Sequence, residues 1–334
     1  MNKNEKYNVC ESEVQMLNLN TNNHQNDIQL IVNALSKKSK KTLSRKQNAL
    51  RKQAQYFSPL YRDFIYKIIS NTSLKIENKY NDGYITPIGE ISSDTHLKKR
   101  QKNKIYTDID DIDTLPHELG HAVDFWFSHI NTLTNTVVLS NNKTLKEIFD
   151  EEFENKQEEI YQIVMDEYKN IINSNINDKA YDVLIENMPS YLELQNHKCN
   201  LQDKELTKKR RIIQSKLYES GFVETYYLLY QRKCFSILNN KYSPILDALS
   251  SKYDFDGLFL DHHQYSYYQL SNKRPVQEFF ANLFASKVTS KKSQFDYLIT
   301  LLPKSYEAFE ELFFIFYDHI QTNKRFIDVN KKGQ

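Results

Sequence analysis

The sequence predicts an α+β, helix-rich fold. Three observations lead there. Gly and Pro are scarce, 6 and 7 in 334 residues, where average usage of about 7% and 5% would give roughly 23 and 17, so many tight turns are excluded and long helices are favoured. Apolar residues make up 40% of the chain and aromatics 13%, with 23 Tyr and 19 Phe, which is enough to build a real core and rules out bulk disorder. Finally, short stretches of strand character sit in one region, between residues 74 and 107, among segments of helical periodicity.

Taken in order, residues 1–26 are polar and Asn-rich (LNLNTNNHQND) and are expected to be a disordered tail, because they bury too little to offset their ordering entropy. From Ile28 the apolar positions Ile28, Ile31, Val32 and Leu35 follow helical spacing, and a basic run from Lys37 to Lys52 follows, so 27–60 is expected to be a basic helical segment. The main domain is expected over 61–334. Tyr61–Ile69 reads as a short helix. Leu74–Ile76, Gly83–Ile91 and Ile105–Thr107 read as strands, with Pro87 confining the second to an edge or a bulge. A long amphipathic helix is expected at about Thr144–Asn173, where Ile148, Phe149, Phe153, Ile160, Ile163 and Val164 recur among glutamates. Three or four further helices should reach Leu249, making 131–244 a large helical insertion. Helices at about Val276–Val288, Ser293–Leu302 and Tyr306–Ile320 complete the domain.

Composition also narrows function. Lys and Arg total 45 against 43 Asp and Glu, so overall charge gives no reason to expect a nucleic acid or a membrane surface. The basic runs Lys37–Lys52, Lys98–Lys104 and Lys204–Arg211 carry no nucleic-acid-binding signature, and solvated faces account for them. Cys10, Cys199 and Cys234 are odd in number and have no C-x-x-C spacing, so free thiols are expected, without a disulfide framework or cysteine zinc site. The N-terminal MNKNEKYNVCESEVQ lacks an apolar h-region, and no stretch approaches the ~18 apolar residues of a membrane span. The expectation is a protein with no membrane segment, cytoplasmic in the producing cell or delivered by a route without a signal peptide. The oligomeric state is not encoded in any pattern we recognise.

The segment that carries chemistry is His117-Glu118-Leu119-Gly120-His121-Ala122-Val123-Asp124, an H-E-x-x-H match. On a helix, residues i and i+4 lie one above the other, so His117 and His121 can offer two imidazole nitrogens to one Zn2+ ion about 2.0–2.1 Å away, while Glu118 lies to the side where a water would sit. Pro116 suits a first helical turn, and Ala122, Val123, Phe125 and Trp126 give the helix an apolar side to bury. Two histidines and one carboxylate leave a fourth position for water, and Glu118 can take that water's proton and return it to a leaving amine.

The third ligand sets the class. A third histidine in H-E-x-x-H-x-x-G-x-x-H would need Gly at 124 and His at 127, but Asp124 and Phe127 stand there. The best alternative is Glu278 in PVQEFFANLFA, one turn into an aromatic helix that must be buried, where a carboxylate needs a partner. His262 and His263 are the other candidate ligands. Asp124 reads equally as an acceptor for a zinc histidine or as a surface carboxylate.

HELGHAVD together with EFFANLFA resembles the catalytic domain of the anthrax lethal factor-like zinc metallopeptidases, glutamate-zincins with relatives in phage minor head proteins. The likeness covers about 74–126 and 245–320. It implies a zincin-like metallopeptidase domain with a small twisted sheet packed on the H-E-x-x-H helix, with His117, His121 and Glu278 as zinc ligands and Glu118 as general base. It also implies a tyrosine shortly before the ligand glutamate as donor to the developing oxyanion, with Tyr268 the first choice and Tyr267 open. One turn beyond the glutamate the family often has an acid that orients a zinc histidine; here Asn282 stands there, and its side-chain carbonyl can accept the same N–H. The implied activity is zinc-dependent endopeptidase action on a protein or peptide substrate, which could pair with the edge strand Gly83–Ile91. A phage or mobile-element structural protein carrying the domain as a binding or inactive module is the competing reading.

Overall fold

The computed structural model of the 334-residue chain describes residues 24–38, 47–76, 84–86, 104–107, 113–126, 131–175, 242, 244–252, 265–269, 271–289 and 293–322. The three cysteines, His262, His263, the basic run 204–211, nearly all of 98–104, and residues 176–241 of the expected insertion lie outside them, as do 1–23 of the expected tail.

Among the described residues helix predominates. The chain divides into two compact units, one of Met1–Asn142, Phe280–Lys292 and Phe309–Gln334, the other of Lys143–Phe279 and Ser293–Ala308. No described helix is long and apolar enough to cross a membrane.

The first unit opens with α1 (His24–Lys38) and α2 (Gln47–Tyr56). Helix α1 takes in the last three residues of the expected tail. Its first turn needs no burial, and Asp27 there favours the positive end of the helix dipole. Ile31, Val32 and Leu35 of α1 and Leu50 and Ala54 of α2 are buried at helical spacing. A short 3-10 turn at Pro59–Tyr61 leads into α3 (Arg62–Asn71), which buries Phe64, Ile65, Ile68 and Ile69. Three short strands follow, β1 (Ser73–Ile76), β2 (Tyr84–Thr86) and β3 (Lys104–Thr107), in the spatial order β1-β3-β2. β1 runs parallel to β3 and β2 antiparallel to it, with Ile105 opposite both Leu74 and Ile85. Along β3, Ile105 and Thr107 are buried and Tyr106 is half-exposed, the period-2 signature of a one-sided sheet. β2 lies at an edge of these strands, while Gly83 and residues 87–91 of the expected strand lie outside the described residues.

Helix α4 (Thr114–Asp124) carries the H-E-x-x-H segment and buries Leu115, Leu119, Ala122 and Val123. In its last residue, the Asp124 carboxylate accepts the backbone N–H of Thr134 at 2.9 Å, pinning the start of the one-turn helix α5 (Leu133–Thr136). The core of this unit is aromatic: the Phe64 ring lies 5.0–6.2 Å from those of Phe284, Phe313, Phe316 and Tyr317. Such contacts add to area burial by about 0.5–1.5 kcal/mol per pair.

The second unit begins with α6 (Leu145–Asn175), within two residues of the expected long helix at either end. Its start is a capping box. Glu147 accepts the Thr144 N–H at 2.7 Å and the Thr144 hydroxyl at 2.9 Å, while the Glu147 N–H reaches the Thr144 Oγ at 3.3 Å. These donors hold the Glu147 carboxyl below the usual carboxylate range. On the buried face of α6, Phe149 packs on Phe153 and Phe279. The buried Glu152 accepts the backbone N–H groups of Lys304 and Ser305 and the Ser305 hydroxyl, a carboxylate at a helix N-terminus where the dipole favours it. Residues 244–250 are helical. The short helix α7 (Tyr265–Gln269) carries both candidate tyrosines. Five residues are too few to show a hydrophobic period, so the turn left no signal in the sequence.

Three helices close the chain: α8 (Arg274–Thr289), α9 (Ser293–Leu301) and α10 (Pro303–Thr322). Each lies within two or three residues of its expected boundaries. Pro275 and Pro303 stand in first turns, where a missing N–H costs nothing.

Candidate metal centre

The centre is built from two helices. His117 and His121, one turn apart on α4, turn their Nε2 atoms toward each other at 3.1 Å. Their rings stand edge to face at 4.7 Å. Two nitrogens each about 2.0–2.1 Å from a shared tetrahedral ion would stand roughly 3.3 Å apart, so the pair is spaced for joint coordination.

On α8, Glu278 and Asn282 are four residues apart and so share a face. Asn282 Oδ1 lies 3.0 Å from His117 Nδ1. Since the amide oxygen can only accept, the histidine's Nδ1–H donates, which leaves the Nε2 lone pair for a metal. One turn earlier, a carboxylate oxygen of Glu278 joins the two imidazoles: ligand atoms of His117, His121 and Glu278 all lie within 4.8 Å of one another. His121 and Glu278 are buried and His117 is partly exposed. This group could hold a metal ion. Two neutral imidazoles and one anionic oxygen, with Glu278 only 1% exposed, form a donor set that a divalent cation would satisfy.

Glu118, next to the first histidine, is buried at 5% exposure. Asp124, also buried, carries the Thr134 N–H, so of its two sequence readings the surface one does not hold.

The tyrosines separate. Tyr267 donates its hydroxyl to Glu278 Oε1 at 2.8 Å. Tyr268, its neighbour, donates to Asp247 Oδ1 at 2.7 Å and is 3% exposed. The structure therefore brings Tyr267 to the cluster and sets the first choice, Tyr268, on a different carboxylate. Adjacent residues of a helix point about 100° apart, so only one could face Glu278. Burial pushes the Tyr267 phenol up, with Glu278 adding to it, so it stays a neutral donor. Tyr268 is raised by burial and by Asp247.

Gly120 is a site residue that motif reading passed over. A Cβ there would stand 2.7 Å from Ala281 Cα, 3.0 Å from Ala281 O and 3.2 Å from Phe284 Cβ. The first two are backbone atoms and cannot swing aside. Gly120 thus lets α4 approach α8 backbone to backbone, between the turn that bears the histidines and the turn that bears Glu278 and Asn282. Gly120→Ala gains about 1 kcal/mol of helix propensity but meets an overpacking cost of about 1–3 kcal/mol. We expect a net loss of thermal stability and, because the ligand-bearing helices are forced apart, a fall in metal affinity of at least about 10-fold. Thermal melts and chelator competition on the variant check both; unchanged affinity would show that the close approach does not set the ligand spacing.

Comparisons with protein-family models, with curated proteins and with solved structures find no match for this chain.

Proposed function

We propose that the chain is a zinc-dependent metalloendopeptidase, with a zincin-like domain of the anthrax lethal factor-like kind, that hydrolyses peptide bonds of a protein substrate. The observation that carries this reading is the convergence of His117, His121 and Glu278 from two helices, with Glu118 in the sequence position of the general base. Zinc suits two imidazoles and one carboxylate, and when bound it would polarise a carbonyl and acidify a water toward a pKa of about 7.

The chain's own residues do the rest. His117, oriented by Asn282, and His121 present nitrogen lone pairs. Glu278 presents an oxygen and accepts the Tyr267 hydroxyl on Oε1. Glu118, desolvated by burial, accepts a proton from water and delivers it to the departing amine nitrogen. Among the described strands β2 lies at an edge, which supports an extended substrate, since a strand edge offers main-chain hydrogen bonds with little sequence demand.

Incubating the zinc-loaded chain with a peptide library tests the reading. We expect internal cleavage that stops with chelator and returns with added zinc, at one zinc per chain. A folded, zinc-loaded chain that leaves the library intact would overturn the peptidase reading and favour a binding module on the same fold.

A further inference from the structure

We propose that Arg274 is a positioning residue for the metal ligand Glu278 and acts through Tyr267. The inference rests on the reading of Glu278 as a ligand. Arg274, the first residue of α8, grips Tyr267 twice: Nη1 donates to the Tyr267 carbonyl oxygen at 2.6 Å, and the guanidinium carbon lies 4.0 Å from the centroid of the Tyr267 ring. Tyr267 in turn delivers its hydroxyl to Glu278 Oε1 at 2.8 Å. Glu278 is four residues beyond Arg274 on the same helix, so the helix backbone closes a circuit that runs from Arg274 through Tyr267 to Glu278.

The circuit acts on a degree of freedom that coordination must fix. A glutamate carboxylate rotates broadly about its last torsion and offers two equivalent oxygens. A donor fixed on Oε1 breaks that equivalence and restricts the rotation of the carboxylate. The donor is only as well placed as the ring that bears it, and here the ring has a planar cation on its face and the same cation on its backbone. Lysine cannot copy this, because an ammonium has neither the flat stacking surface nor the fork of donors. The position itself argues for a specific role: a cation in the first turn of a helix opposes the dipole, so Arg274 does not serve α8 as a helix.

Zinc affinity, read by competition with a chromophoric chelator on the full chain, tests the proposal. Tyr267→Phe and Arg274→Ala should each weaken zinc binding about 10–100-fold, the usual effect of losing a partner that orients a ligand. Arg274→Lys should restore only part of the loss. The double variant should bind no more weakly than Tyr267→Phe alone, because Arg274 acts through the tyrosine. Zinc affinity within twofold of wild type in Arg274→Ala, or losses that add in the double variant, would overturn the proposal. If Arg274→Ala does not fold, Arg274→Lys decides in the same way, with wild-type affinity overturning it. Glu278→Ala is the reference: if it binds zinc as wild type does, the ligand reading fails and takes the positioning role with it. Loss in Glu278→Ala with none in Arg274→Ala removes the positioning role alone.

Discussion

Replacing Glu118 by glutamine is expected to leave one zinc per chain in place while lowering peptide hydrolysis about 10²–10⁴-fold, the usual range for a general base. Glutamine keeps the size and hydrogen-bonding shape of glutamate but cannot hold a proton, so the change isolates proton transfer from packing. Burial makes the test clean. At 5% exposure Glu118 is largely shielded from bulk water, so a solvent base cannot easily take its place. The metal should be unaffected, since the ligand atoms that converge belong to His117, His121 and Glu278. Metal analysis alongside steady-state kinetics measures both halves, and turnover within a few-fold of wild type would sink the mechanism.

Glu278→Ala is expected to have the largest effect on metal binding, a loss of more than about 100-fold and so beyond what loss of an orienting partner produces. Three features combine in it. The variant removes the only carboxylate of the His117, His121, Glu278 group, empties a site that is 1% exposed, and takes the acceptor from the Tyr267 hydroxyl. Losing the acceptor that the Tyr267 hydroxyl uses adds about 1–3 kcal/mol of destabilisation. Glu278→Gln separates these terms, because it keeps the volume and an acceptor but removes the charge. Chelator competition should place it between alanine and wild type, and a thermal melt of the metal-free protein should show most of the alanine variant's stability loss recovered.

The parts of this site that were legible in the sequence are those governed by helical periodicity. His117 and His121 at i, i+4 announced a shared face. Glu278 stood out because Phe279, Phe280, Leu283 and Phe284 surround it with residues that must be buried. Long α6 was equally plain, since Phe149, Phe153, Ile160 and Val164 sustain one stripe over several turns. What escaped depends on contacts between segments far apart in the chain. Gly120 occupies an unspecified position of its motif, and only the approach of Ala281 gives it meaning. The choice between Tyr267 and Tyr268 turns on the phase of a five-residue helix, too short for any pattern. Asp124 read equally as a surface group until its link to Thr134 was seen. Arg274 carried no signal in the sequence, because the ring it grips lies seven residues upstream.

The close approach at Gly120 also bears on how fast the ligand set can come apart. Contacts made through long side chains loosen whenever a rotamer hops, on the picosecond to nanosecond scale. The contact between Gly120 and Ala281 involves no rotamer, because backbone meets backbone there. The distance between the two ligand-bearing helices is therefore insensitive to fast side-chain motion. Parting them requires whole helices to move or the unit to open locally, events of microseconds or longer that break many contacts together. Side chains that would hold an ion here are thus mounted on a backbone frame that fast rotamer motion leaves in place.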